Sequence, residues 1–250
     1  MKTLVLVLGC RAQPYPALIE TIESTWAAEE VDGVSVLFYY GGGELRRSGR
    51  HLHLPVPDDL PNVGRKTIAA FEHVLGELDF DVVFRTNCSS YVDLPNLRRH
   101  VLARRPERRF YAGFIGVHDG VTFASGSGYF LGRDLVELAV RERAAWDHDL
   151  VADVALGAVL DRHGVRPEPA PRPYFGSVED VVDVDTSQFH FRCHTDSPGR
   201  REDAAVMLEL HRAYRSARGQ KVPRRPRSAQ ARRWIEGRKA GLLARVRAGG

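Results

Sequence analysis

No run of roughly 18 apolar residues occurs in the chain, so no segment is long enough to cross a bilayer as a helix. The longest apolar stretch, TLVLVLG at residues 3–9, follows Met1-Lys2 directly. It is too short for a secretory leader with a cleavage site. Cysteine is scarce: Cys10, Cys88 and Cys193 are an odd number with no C-x-x-C spacing. That excludes a disulfide framework and a zinc ribbon, and it points to a reducing compartment, the cytoplasm. Lysine is scarce as well, with Lys2, Lys66, Lys221 and Lys239 set against 32 arginines, a bias that points to a GC-rich bacterial genome.

What is present fits a globular chain. At 250 residues and 43% hydrophobic, it has enough apolar surface for one large core, and disorder and fibrous repeats are excluded. The formal net charge of +4 is unevenly placed. Residues 219–250 carry ten bases and one acid, a net of +9, so the rest of the chain stands at −5. The tail alone makes the protein basic. Trp234, Ile235, Leu242, Leu243 and Val246 interleave with its arginines, a pattern that permits a basic amphipathic helix on an anionic membrane face or docked on the body. No nucleic-acid-binding motif accompanies it.

Along the chain, TLVLVL (3–8), VSVLFYY (34–40) and DVVF (81–84) are continuous apolar runs of the kind buried in a parallel sheet. Between them lie helical patterns: Leu18, Ile19, Ile22 and Trp26, then Ile68, Phe71, Val74, Leu75 and Leu78 after a potential cap at Asn62. A helix over about 95–104 and strands at 109–116 and 121–125 follow, with helices near 133–144 and 150–163. A proline-rich connection leads to the alternating SQFHFRCH (187–194) and a helix near 202–216. The β-α-β-α-β opening predicts an α/β fold with a mostly parallel sheet flanked by helices. Ligands of such sheets sit beyond the carboxyl ends of the strands. There Gly9–Arg11, Gly41–Gly43 and Arg85–Asp93 should meet, joined by Ser125–Gly128.

Five ordered stretches resemble the β-1,3-galactosyltransferase and Fringe family of GT-A glycosyltransferases. TIESTW (21–26) is similar to that family's R-x-x-I-R-x-T-W, and NVGRKTIAAFEHVL (62–75) to its N-L-T-x-K-T segment, with Lys66 on the lysine. FRTNCSSYVDLPNL (84–97) resembles K-T-D-D-D-V-F-V-N-L, and ASGSGYFLGRDL (124–135) resembles C-S-G-x-G-Y-V-L-S-x-D-L. ADVALGAVLDRHGV (152–165) resembles E-D-V-x-x-G-x-x-L-x-x-L-G-V. The resemblance spans residues 3–165. It implies one GT-A, Rossmann-like domain, which the charge distribution bounds at 1–218, ahead of the basic helical tail over 219–250. It also implies a nucleotide-sugar donor, usually a UDP-sugar, with inversion at the anomeric carbon.

The sequence departs from the family where the metal-binding Asp-x-Asp should stand. Asn87-Cys88-Ser89 takes that place, and no carboxylate follows before Asp93. Magnesium or manganese held with a diphosphate needs one or two carboxylates, so donor binding without a metal or other cofactor is expected. Asp79/Asp81 and Asp183/Asp185 lie away from the expected site. Protein cations must then meet the leaving diphosphate, a task suited to arginine's planar fork.

Alternation in QFHFRCH puts His190, Arg192 and His194 on one face, the expected diphosphate clamp. Arg11, Lys66, Arg85, Asn87, Ser89, Ser90 and the pair Arg200-Arg201 are further donor-side candidates. Ser127, Gly128 and Trp146 are candidates for the sugar and acceptor. The resemblance places the general base at Asp153, in the first turn of a helix capped near Asp147–Asp149, where the helix terminus favours the ionised form. Ala152 stands where the family has a second acid. The expectation is an inverting, metal-independent hexosyltransferase acting on an acceptor hydroxyl. The alternative is a non-catalytic nucleotide-sugar or glycan-binding protein built on the same fold. Truncation after Gly219 should spare donor binding.

Overall fold

The computed structural model describes residues 1–106, 108–195 and 201–222. Met1–Tyr214 form one compact unit, and a second begins at Arg215. Of that second unit only the end of the last helix and the residues to 222 are described. The expected tail helix lies, from residue 223 onward, outside the described residues, as does Arg200. Among the described residues no helix is long and apolar enough to cross a membrane.

The chain runs β1 (Thr3–Leu8), α1 (Tyr15–Ser24), β2 (Val34–Tyr40), β3 (Arg46–Ser48), β4 (His51–His53), α2 (Val63–Glu77), β5 (Val82–Asn87), β6 (Ser90–Val92) and α3 (Leu94–Arg104). It continues through β7 (Tyr111–His118), β8 (Val121–Gly132), α4 (Arg133–Arg141), α5 (Ala152–Arg162), β9 (Glu168–Pro169), β10 (His190–Arg192) and α6 (Asp203–Ala217). Eight strands form one sheet in the order β3-β4-β2-β1-β5-β8-β7-β9, while β6 and β10 pair as a separate antiparallel ribbon. The β2, β1 and β5 strands, with β4 beside β2, are parallel, whereas β8 runs antiparallel to both β5 and β7. The expected parallel core is therefore present, and the sheet as a whole is mixed.

Strand alternation divides the core into two layers. Val5, Val7, Phe38 and Phe84 point to one side, where they pack with residues of α1, α3, α6 and the ribbon. Leu4, Leu6, Leu37, Tyr39 and Val83 point to the other, against α2, α4 and α5. Each fully buried Leu, Val or Phe contributes about 1.5–3 kcal/mol of transfer free energy. These continuous apolar runs thus hold the sheet between two helical layers. Trp26 lies just past the end of α1 in a short 3-10 turn and is fully buried, its indole N–H donating to the Ser90 carbonyl at 3.2 Å.

The parallel strands end together at Leu8, Tyr40, His53 and Asn87. From β1 the chain turns one way to β2 and later the other way to β5, so a topological switch point opens at this edge. The edge is completed by an irregularity in β8. Gly113 pairs with Tyr129 and Ile115 with Ala124. Only Phe114 lies between the paired positions on β7, against Ser125, Gly126, Ser127 and Gly128 on β8. The SGSG stretch is thus a wide bulge inside one long strand, pushed out beside the end of β5.

Candidate functional site

Arg85, near the end of β5, is fully buried and donates from Nε to the Tyr39 hydroxyl at 2.9 Å. Its Nη1 donates to the bulged Gly126 carbonyl, to which Asn87 Nδ2 also donates at 3.3 Å. Burial alone would lower the arginine's pKa. The neighbouring Tyr39, Tyr129 and Asp153 outweigh it and hold the pKa above its ordinary value. The other side of the same peptide serves α5: Gly126 N–H donates to Asp153 Oδ2, while Oδ1 accepts from Val154 N–H at 3.1 Å. Asp153 is in the first turn of α5, as expected, but Val151 rather than Asp147 or Asp149 precedes the helix. Asp147 instead accepts from Asp149 N–H at 2.9 Å in the preceding turn. Because a Cβ at Gly126 would lie 3.1 Å from Asp153 Oδ2 and 3.2 Å from Arg85 Nη1, its glycine lets carboxylate and arginine close on one peptide.

The Asn87–Ser90 turn is held by two arginines from elsewhere in the sequence. Asn87 Oδ1 accepts from Ser89 N–H at 3.0 Å and from Arg192 Nη1 at 2.8 Å. The β6–β10 ribbon pairs Arg192 with Ser90 and so fixes that approach. Arg201 Nη2 donates to Ser89 Oγ at 3.0 Å and to Asp203 Oδ2 at 2.7 Å. Asp203 is fully buried; burial raises its pKa, but Arg201 and the Ser89 hydroxyl bring it below the ordinary value. Ser90 Oγ and Thr86 Oγ1 donate to the Ser127 carbonyl at 3.0 and 2.6 Å, tying the turn to the bulge.

A divalent ion does not fit this donor set. The Asn87 and Ser89 oxygens already face guanidinium groups, and burial pushes the Cys88 thiol up to about 12. Asp93, the next carboxylate, is buried and caps α3 by accepting from Asn96 N–H at 3.0 Å.

The loops after β1, β2 and β4 are knit by a residue that sequence reasoning missed. Asp58 Oδ1 accepts from Lys66 Nζ at 2.9 Å and from Gly41 N–H at 3.1 Å, and its Oδ2 accepts from Arg11 N–H at 2.8 Å. Burial pushes its pKa up, yet these three donors outweigh burial and hold the carboxyl below its usual value. Lys66 is only 2% exposed, so it anchors the loop to α2 instead of reaching toward a ligand. Arg11 remains exposed, with Nη1 donating to the Gly42 carbonyl at 3.0 Å and Nη2 lying 2.9 Å from His53 Nδ1. Asn62 does not cap α2 with its side chain; its Nδ2 donates to Asp59 Oδ1 at 2.7 Å.

Two expectations are corrected. Trp146 is not an acceptor platform: it is 5% exposed within the α2, α4 and α5 core, and its indole N–H donates to the Ala139 carbonyl at 3.2 Å. His190 shares a strand with Arg192 but is 2% exposed beneath the β8 bulge, edge-on to Phe84. Burial, reinforced by Arg172 and Arg192, lowers its pKa to about 3. A neutral, covered imidazole cannot clamp a diphosphate. The structure therefore brings Arg85, Asn87, Ser89, Ser90, Ser127, Gly128, Asp153 and Arg192 around one bulge, sets Arg11 on a neighbouring loop and Lys66 on α2 beneath it, and removes His190 and Trp146 to the interior.

Neither a family model nor a curated protein sequence matches the chain. Among solved structures it resembles a glycosyltransferase involved in glycosylation of the major capsid of PBCV-1. The TM-score is 0.50 at 12% identity, over 83% of this chain and 98% of that one. A lesser likeness, TM-score 0.48 at 12% identity over 89% of this chain and 66% of the other, is to the mannosyltransferase PcManGT from Pyrobaculum calidifontis, solved in complex with GDP-Man and Mn2+. A third, A197 from STIV, has a TM-score of 0.39 at 11% identity over 68% and 82% of the chains. The first likeness shows the fold: a Rossmann-like α/β sheet flanked by helices, as in that glycosyltransferase.

Proposed function

We propose that this chain is an inverting glycosyltransferase that moves a sugar from a nucleotide-sugar, UDP-linked, to an acceptor hydroxyl without a divalent metal. The observation that carries the reading is the convergence at the bulge. A carboxylate on α5 and a buried arginine on β5 are fixed to one peptide, and Arg192 and Arg201 contact the Asn87–Ser89 turn. The resemblance of ASGSGYFLGRDL and ADVALGAVLDRHGV to the Fringe-type segments supports the same assignment.

In the reaction, Asp153 accepts the proton of the acceptor hydroxyl as its oxygen bonds to the anomeric carbon. The bond from that carbon to the diphosphate oxygen breaks on the opposite face, and the electron pair leaves with the nucleoside diphosphate. Arg192 and Arg201 offset the developing charge, the task a metal ion performs elsewhere. Arg85 holds the Gly126 carbonyl and steadies the peptide that orients Asp153. Arg11 and the loop locked by Asp58 and Lys66 border the nucleotide.

Calorimetry with UDP-, GDP- and dTDP-sugars, in EDTA and in manganese, tests this directly. Binding of a UDP-sugar unchanged by EDTA is expected, with slow donor hydrolysis that disappears in Asp153→Asn. Strict manganese dependence removes the metal-free mechanism. Binding with neither hydrolysis nor transfer on any acceptor identifies the non-catalytic reading.

A further inference from the structure

Arg172 has no part in the chemistry proposed above. β9 runs parallel to β7, and Ala170 N–H donates to the Gly113 carbonyl at 2.9 Å, which carries the chain past Phe114. The next residues are stitched to β10: Arg192 N–H donates to the Pro173 carbonyl at 2.9 Å and Phe175 N–H to the Arg192 carbonyl at 2.8 Å. Arg172 is thereby held between β7 and β10, with its guanidinium 4.3 Å from the centre of the Phe114 ring.

Phe114 is 46% exposed and lies opposite the bulge that carries the Asp153 contact. The Arg172 Nε is buried and has no hydrogen-bond partner. Among the described residues no carboxylate pairs with Arg172 or Arg192, and Asp203, the acid nearest in influence to Arg192, is taken by Arg201. Burial lowers the pKa of both arginines, and the Arg192 cation lowers that of Arg172 further.

Two guanidiniums brought together and partly desolvated with no shared acid are unfavourable unless an anion completes them. An exposed ring stacked on one of them orients the fork but supplies little compensating charge. We propose that Arg172 and Arg192 form a binding site for a phosphate-class oxyanion, with Phe114 as the platform that aims the Arg172 fork. Arginine's planar donors match phosphate oxygens in pairs, and Arg192 already reaches from this site to Asn87. The anion is either the diphosphate of a nucleotide donor or a phosphate carried by the acceptor. Its assignment to one of them rests on the proposed function, whereas the anion site itself rests on the arginines alone.

The test is calorimetry of the full chain with inorganic pyrophosphate, uridine and UDP, on wild type, R172Q and R172K. Pyrophosphate should bind wild type, at least tenfold more weakly R172Q, and to an intermediate degree R172K, which keeps the charge and loses the fork. Ligand-free R172Q should melt no lower than wild type, since it removes an uncompensated cation; a purely structural arginine would give the opposite result. If UDP weakens in parallel while uridine does not, the anion is the donor's diphosphate. If UDP is unaffected while pyrophosphate weakens, the anion belongs to the acceptor. Pyrophosphate binding without any UDP binding supports the site and removes the nucleotide-sugar reading. Equal pyrophosphate affinity in all three proteins, or none in wild type, overturns the proposal. Should R172Q fail to fold, the pyrophosphate affinity of R172K alone decides: equality with wild type overturns the site.

Discussion

The backbone of Gly128 lies directly against the imidazole of His190, so closely that a Cβ at residue 128 would stand 2.2 Å from His190 Cε1. That contact makes the bulge the roof over a buried histidine. Gly128→Ala forces the ring or the strand to move and should cost about 1–3 kcal/mol, the range for overpacking a filled interior. Urea denaturation should show the loss, and a second change, His190→Ala, should recover part of it by vacating the space. Full additivity of the two changes would disprove the contact.

His190 also sets a pH dependence. Its pKa in the fold is lowered to about 3 from an ordinary 6.5, so the unfolded chain binds the proton more readily across that interval. Stability contributed by the neutral ring is therefore complete above the ordinary value, and it declines as pH falls from about 6.5 toward 3. In NMR titration the His190 resonances should stay fixed between pH 7.5 and pH 5. His190→Gln should flatten the slope of stability against pH in the same interval.

The Asp58–Lys66 pair predicts a second acid-sensitive element. Lys66→Met leaves a largely buried carboxylate without its cation, a change that typically costs about 3–5 kcal/mol. The Arg11 and Gly41 N–H donors that remain should place this case at the low end. Because the folded pKa of Asp58 is depressed, its contribution is present above the ordinary carboxylate value and lost as pH falls below it. Comparing urea midpoints of wild type and Asp58→Asn from pH 6 to pH 3 should show the smaller decline in the variant.

Asp153→Asn keeps an oxygen to accept from Gly126 N–H while removing the carboxylate proposed as the base. Transfer should fall about 10²–10⁴-fold, with nucleotide-sugar affinity and melting temperature close to wild type. A matching loss of donor affinity would reassign Asp153 to binding.

Much of the fold is legible in β1, β2 and the Val82–Phe84 half of β5, because a strand segment buried on both faces is apolar throughout. Asp153 and the Asn87–Ser89 turn were reachable through ordered motifs. His190 and Trp146 were not: alternation tells which face of a strand a side chain takes, but not that a bulge from a strand some sixty residues earlier covers that face. Trp146 carries no periodic signal in its connecting segment, so core and platform look alike there. Asp58 and Arg172 sit in proline-containing connections, where partners are fixed by neighbouring strands that no local pattern names. A lysine matched at residue 66 was the available clue that an acid must lie close by.

Between its paired positions with β7, β8 holds three residues more than its partner strand. Excising three of Ser125–Gly128 would let the ladder close without interruption, giving a tidier and stiffer hairpin. That hairpin would have no carbonyl to offer Arg85 and no N–H to offer Asp153. The contact between Arg85, Gly126 and Asp153 is thus stored as surplus length in one strand, a quantity that substitution cannot supply and that deletion would erase at once.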